Sequence, residues 1–255
     1  MDERTCAYLA RIGYEGEAAA TLDVLAAVLQ RHIYSIPYEN LDILAGKLLQ
    51  FDEDTLFDKI VTRRRGGFCF ELNAALGLLL RRLGFDVTDC FARYLAGEQT
   101  IPMRRHQVLM VRLCGEKWLC DVGVGNEAPR APLRLVTDEI QNDGVTDYRF
   151  ERDEYLGWVL CQRHADGFRR QYAFTEEAQI PADFAATSFY CERHPASIFN
   201  KAAMIAIKTP GGRTTLDGRT LKFFRPAGVE VRELETDEDV TAALSAHFGL
   251  TMKGE

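Results

Sequence analysis

The apolar positions of the first 84 residues recur at helical spacing. In 18–32 (AAATLDVLAAVLQRH), Leu22, Leu25, Val28 and Leu29 share one face, with Thr21 and Asp23 near the start. In 54–63, Leu56, Phe57, Ile60 and Val61 form a second, shorter apolar face. From Cys69 to Leu83 the set is Leu72, Leu76, Leu79, Leu80 and Leu83, and Gly84 stands where a helix-terminating glycine belongs. The texture then changes. Segments 85–94, 106–113 and 117–124 are short and rich in β-branched and aromatic residues, and Cys114-Gly115-Glu116 signals a hairpin between the last two. Further strands are predicted at 132–136, 147–151, 155–162 and 169–174, with turns at Asn142-Asp143-Gly144 and Asp166-Gly167, so the middle of the chain reads as an antiparallel barrel or a strongly curved sheet. From about Pro181 the pattern mixes a helix (Asp183 to Tyr190), strands at 203–208 and 212–216, and a last helix from Asp237 to Phe248 with Thr236 as its N-cap. The expected organisation is α+β in three parts: helical 1–84, β-barrel 85–180 and mixed α/β 181–255.

Composition narrows the function classes. The chain has 255 residues, 47% of them hydrophobic and only 8 proline, enough for a packed core and without low-complexity segments. A formal net charge of −7, with no basic run longer than Arg63-Arg64-Arg65, argues against nucleic-acid binding. The start, MDERTCAYLARIGYEGE, carries charges where a signal peptide needs an apolar stretch, and no segment approaches the ~18 apolar residues of a membrane span. The seven cysteines are scattered without a CxxC pair, so neither a disulfide framework nor a zinc site is expected. The expectation is a cytoplasmic protein with reduced thiols, no metal and no membrane contact.

One cysteine stands apart. In RRRGGFCFELN, Cys69 follows Gly66-Gly67 and opens a predicted helix. A free cysteine is often simply a buried hydrophobe, but a helix N-terminus also lowers a thiol pKa and offers backbone N–H donors. A catalytic thiol needs a base and a group that orients the base. Of the five histidines, His32 and His247 lie in amphipathic helices as surface or cap residues, His164 sits in a predicted turn, and His194 precedes Pro195 in a loop. His106 differs because it opens a central strand. Asp121, in WLCDVGVG, lies in the partner strand of the same hairpin, where an aspartate among apolar residues is costly unless paired. The chain order Cys69, His106, Asp121 therefore points to thiol chemistry.

These segments resemble a known family. RRGGFCFELN, HQVLMV and WLCDVGVG are similar in order, spacing and context to the arylamine N-acetyltransferases. IPYENLD (Ile36 to Asp42), HPASIF (His194 to Phe199) and GRTTLDG (Gly212 to Gly218) resemble further segments of that family, the last ones loosely. The resemblance implies a papain-like Cys-His-Asp fold with a helical first domain, an antiparallel β-barrel and an α/β lid. It implies Cys69 as the acetyl-accepting nucleophile, His106 as its proton acceptor and Asp121 as the imidazole orienter. Acetyl-CoA would acylate Cys69, and an arylamine, arylhydrazine or N-hydroxyarylamine would take the acetyl group away, giving ping-pong kinetics.

Finer assignments follow from the same likeness. Pro102 and Met103 resemble a loop bordering the acetyl and pantetheine channel and Gly125 a glycine that leaves room for CoA, while Phe68, Phe70 and Val124 are candidates for an apolar wall against the aromatic amine. Family members commonly carry phenylalanine in the position of Val124, so this pocket should be more open there. The amides of Cys69 and of the loop near Met103 are candidate oxyanion donors. Gly66 and Gly67 would give clearance for the acyl group, Glu39 and Arg64 would form a buried pair beneath Cys69, and Arg193 or His194 is a candidate contact for CoA phosphates. The competing readings are an amide synthase of the same scaffold acting on a polyketide or longer acyl donor, a transglutaminase-like thiol enzyme, and a non-catalytic small-molecule binder.

Overall fold

A computed structural model describes residues 1–251 of the chain. Its first part is helical: α1 (Glu3–Arg11), α2 (Leu22–Ser35), α3 (Leu41–Leu44), α4 (Glu53–Phe57) and α5 (Cys69–Arg82), with a π-helical turn at Asp58–Thr62 extending α4. The side chains of Asp2, Thr21 and Asp52 accept N–H groups three residues on, capping α1, α2 and α4. Helix α5 ends as its glycine predicts. Gly84 has φ 89°, its N–H bonds the Arg81 carbonyl, and the Phe85 N–H reaches the Leu80 carbonyl. Leu25, Val28 and Leu29 of α2 meet Leu72, Leu76, Leu79 and Leu80 of α5 in one core. Helix α1 was not foreseen from the apolar pattern; its charged positions dilute the stripe.

Eight strands follow: β1 (Asp86–Tyr94), β2 (His106–Leu113), β3 (Glu116–Cys120), β4 (Leu133–Arg134), β5 (Gln141–Asn142), β6 (Asp147–Asp153), β7 (Gly157–His164) and β8 (Gly167–Ala178). They form one antiparallel sheet in the order β4-β3-β2-β1-β8-β7-β6-β5. The sheet curls until its two short edges meet. There the Gln141 amide acts as a missing strand pair, accepting the Arg134 N–H at 2.7 Å and donating to the Arg134 carbonyl at 2.8 Å. Register shifts in β1 and in β7 against β8 mark bulges of the kind that tighten such curvature. Strand β2 is buried on both faces. Val108 and Met110 point into the barrel while Leu109 and Val111 join the helical core, which is why HQVLMV reads as an unbroken apolar run. The β2–β3 turn has positive φ at both Cys114 (51°) and Gly115 (81°), the type I′ geometry of a two-residue hairpin.

The last part comprises α6 (Pro181–Arg193), a four-stranded antiparallel sheet of β9 (Met204–Thr209), β10 (Gly212–Asp217), β11 (Thr220–Arg225) and β12 (Gly228–Glu233), and α7 (Asp237–Phe248). One face of this sheet packs Ile205, Leu216, Leu221 and Phe223 against Leu244 and Phe248 of α7. Strands β11 and β12 lie beyond the strands read from the sequence: β12 is an exposed edge with no buried side chain, and β11 buries only Leu221 and Phe223. A strap built from IPYENLD joins the parts. Tyr38 exchanges backbone hydrogen bonds with Ala206 of β9 at 2.9 and 3.0 Å, and the Asn40 side chain bonds the carbonyls of Phe199 and Ala202 and the N–H of Met204, each at 2.8 Å. Among the described residues no helix is long and apolar enough to cross a membrane, no group of side chains is arranged to hold a metal, and all seven cysteines are free.

Candidate active site

Cys69 is the first residue of α5 and only 4% exposed. The segment around it is held from below by charge. Glu71 accepts the Phe68 N–H at 2.8 Å, as a capping carboxylate does, and also pairs with Lys59 at 2.8 Å. Lys59 bonds Asp42 at 2.7 Å, Asp42 meets Arg65 at 3.3 Å, and Arg65 meets Glu39 at 2.7 Å. The partner of Glu39 is therefore Arg65, correcting the expected Arg64. Arg64 turns through φ 53° and faces solvent, which throws the next side chain inward. The two glycines also change meaning. A Cβ on Gly66 would lie 2.1 Å from the Pro37 carbonyl oxygen, and one on Gly67 3.0 Å from Glu71 Cβ, so they admit the strap and the cap. Gly123 lets the segment after β3 pack on the start of α5, since a Cβ there would sit 2.5 Å from Asn73 Nδ2 and 2.9 Å from the Cys69 backbone.

His106 begins β2 and Asp121 directly follows β3. They are two residues out of direct register, since Leu109 pairs with Cys120, yet His106 Nε2 lies 2.8 Å from Asp121 Oδ2. Both are buried, at 4% and 1% exposure. Asp121 accepts, so Nε2 carries its proton and Nδ1 presents a lone pair. The carboxylate is itself aimed. Its Oδ1 accepts from Asn73 Nδ2 at 3.0 Å and from the Gly123 N–H at 2.8 Å. Asn73 further donates to the Gln107 carbonyl and accepts the Val122 N–H, so one α5 side chain ties β2 to the end of β3. No positioning role for Asn73 was read from the sequence. Its signal was the spacing of four from Cys69, which puts both on one helix face. Tyr172 stacks edge-on against the imidazole, ring centroids 5.6 Å apart.

The electrostatics are asymmetric. Burial alone would push Asp121 up, but His106, Asn73 and the Gly123 N–H outweigh it and hold the carboxyl below its ordinary value. Burial, with the Cys191 thiol and the Asp121 charge, pushes the Cys69 thiol up, opposed by the Phe70 backbone N–H. That direction opposes the lowering expected of a thiol at a helix N-terminus. Cys69 Sγ lies 4.0 Å from the carbonyl of Arg105, the residue before His106, and Cys69 and His106 open onto the same cavity.

That cavity has a volume of about 360 Å3 and runs between the barrel and the last sheet, walled by Tyr38, Tyr94, Val124, Phe199, Ala206 and Phe224 among others. Gly125 and Val124 line it, as do Gly123 and Arg105. Phe68 and Phe70 do not. They are 1% and 0% exposed and pack with Phe184 and Phe199 in the core behind Cys69. Pro102 and Met103 lie in the 99–105 loop away from the wall, Pro102 holding Arg93 through its carbonyl at 2.6 Å and Met103 exposed. Arg193 bonds the Gly46 carbonyl and His194 stacks on Tyr190, both outside the cavity. His32, expected at the surface, is fully buried and bonds the Tyr8 hydroxyl at 3.0 Å.

The chain that carries this site is similar to known proteins over most of its length. A model of the N-acetyltransferase family fits residues 21–255. An arylamine N-acetyltransferase of Escherichia coli K12 is 35% identical over 248 residues, covering 95% of this chain and 87% of that protein. The chain belongs to the arylamine N-acetyltransferase family. Its fold agrees with membership. The arylamine N-acetyltransferase structure from M. tuberculosis superimposes with a TM-score of 0.91 at 37% identity, covering 98% of this chain and 93% of that one. The Mycobacterium marinum arylamine N-acetyltransferase solved in complex with CoA superimposes at 0.90 and 35% identity, covering 96% and 92%. The protein is thus an acetyltransferase by family and α+β by architecture.

Proposed function

We propose that this protein transfers an acetyl group from acetyl-CoA, through a thioester on Cys69, to an arylamine, arylhydrazine or N-hydroxyarylamine. The observation that carries the reading is the 2.8 Å contact of His106 with Asp121 at the cavity that also holds the Cys69 thiol. His106 Nδ1 takes the Cys69 proton, and Asp121 stabilises the imidazolium that forms. The sulfur attacks the thioester carbonyl of acetyl-CoA, and the tetrahedral intermediate expels the CoA thiolate, which leaves with the proton from His106. The acceptor nitrogen then attacks the acetyl-Cys69 carbonyl, His106 takes the nitrogen's proton, and the Cys69 thiolate departs and is reprotonated. The Cys69 N–H, at the first helical position where no intrahelical partner exists, is the proposed donor to the oxyanion. The relative crystallised with CoA and the family's arylamine activity support the choice of donor and acceptor.

Intact-mass measurement after mixing with acetyl-CoA tests this directly. Wild type is expected to gain one acetyl group, to lose it on adding an arylamine, and to gain none when Cys69 is replaced by alanine. An adduct that persists in Cys69→Ala would overturn the covalent route.

A further inference from the structure

The backbone ladder that carries the strap continues into the last sheet. Gly67 pairs with Tyr38, Tyr38 with Ala206, Ala206 with Thr215 and Thr215 with Lys222. At about 4.8 Å per step, the four steps put at most about 19 Å between the backbones of Gly67, two residues before Cys69, and Lys222. Strand alternation decides which way Lys222 faces. Its neighbours Leu221 and Phe223 are buried against α7, so Lys222 and Phe224 lie on the opposite face with Thr215, and all three line the cavity.

The charges on this wall are unequal. Arg105 lines the cavity but is tied to Glu98. Lys222 is half-buried and makes no hydrogen bond, ion pair or ring contact among the described residues. Asp217, the other charged residue of this sheet that lines the cavity, is exposed at the neighbouring row, nearer the β10–β11 turn, while Arg213 and Lys208 share the face but lie outside the lining. An ammonium partly withdrawn from water and lacking a partner favours an anion brought to it.

We propose that Lys222 is the anion anchor of the Cys69 cavity, pairing with a negatively charged group on a substrate whose other end reaches the thiol. The inference rests on the proposed transfer reaction. Two substrate groups share this chemistry: a carboxylate on the aromatic acceptor and a phosphate of the acyl donor. A two-step reaction uses one cavity for both in turn, so the anchor acts on whichever anion spans the distance.

Calorimetric binding separates the cases with two charge-matched pairs, 4-aminobenzoate against 4-aminobenzamide and CoA against pantetheine. Lys222→Gln is expected to weaken at least one charged member about tenfold while its neutral counterpart stays within about twofold of wild type. Lys222→Arg is expected to keep the charged member's affinity. A loss confined to 4-aminobenzoate assigns the anchor to the acceptor, and one confined to CoA assigns it to the donor. Unchanged binding of both charged members, or equal weakening of charged and neutral ones, overturns the proposal. The transfer reading fails separately, by absence of acetyl on Cys69, because the binding ratios need no turnover.

Discussion

At the scale of single residues, the site depends on who aims the carboxylate. Asp121 is held by three groups, and the Asn73 amide is the one that also fixes β2 and the end of β3. Removing it strips a charge-assisted hydrogen bond that keeps Asp121 in line with His106. Asn73→Ala is expected to lower the rate of Cys69 acetylation by about 10- to 100-fold, the equivalent of ~1.5–3 kcal/mol, with little change in acetyl-CoA binding. Single-turnover acetylation followed by intact mass, beside equilibrium CoA binding, checks this. A loss of binding with an unchanged acetylation rate would contradict the aiming role. The same residue shows how far local reading goes. The spacing from Cys69 was visible, but what lay opposite that helix face was set by strands 34 and 48 positions further along.

At the scale of elements, the helix bearing Cys69 is anchored to the strap by the Lys59, Glu71, Asp42, Arg65 and Glu39 network. Removing one cation from such a buried set leaves carboxylates uncompensated. Arg65→Met is therefore expected to destabilise the fold by ~3 kcal/mol or more, whereas Arg64→Met, at an exposed side chain, should cost little. Denaturant unfolding of the two variants side by side decides it, and equal stabilities would remove the network from the account. Within Arg63-Arg64-Arg65 the side chains are alike in charge and size. Which one turns inward was decided by the backbone turn at Arg64, which has no sequence marker of its own. The helices and strands themselves were largely legible. Helix α7 begins and ends where its apolar spacing and Thr236 place it, and the Cys114-Gly115 turn forms the hairpin its residues suit.

At the scale of the whole molecule, the barrel and the last sheet are joined by buried cations. Lys208 of β9 donates to the Ala128 carbonyl, and Arg130 donates to the Gly212 carbonyl at 2.9 Å. Burial, reinforced by the neighbouring Arg130 charge, pulls Lys208 down to about 7. In the unfolded chain this amine titrates near 10.4, so between about pH 7 and 10 the unfolded state binds the extra proton. Stability from this residue consequently rises with pH across that window, and its cost is fully present below about 7. Lys208→Met should raise the melting temperature at pH 6 by more than it does at pH 10. An equal shift at both pH values would show that Lys208 keeps its proton in the fold.

By itself the sequence determined the local chemistry and the element order: a cysteine at a helix start, a histidine opening a strand, an aspartate too costly to bury alone, and the periodicities around them. Those features depend on neighbours within a turn or a hairpin, where spacing alone says which residues share a face. Only the tertiary structure decided that Asn73 and Gly123 aim Asp121, that Phe68 and Phe70 belong to the core, that Arg65 replaces Arg64, and that Lys222 faces the thiol's cavity. Each of those depends on which distant segments pack together. Burial and charge pairing are then set by surfaces that meet across tens to more than a hundred residues, and no local pattern carries that information.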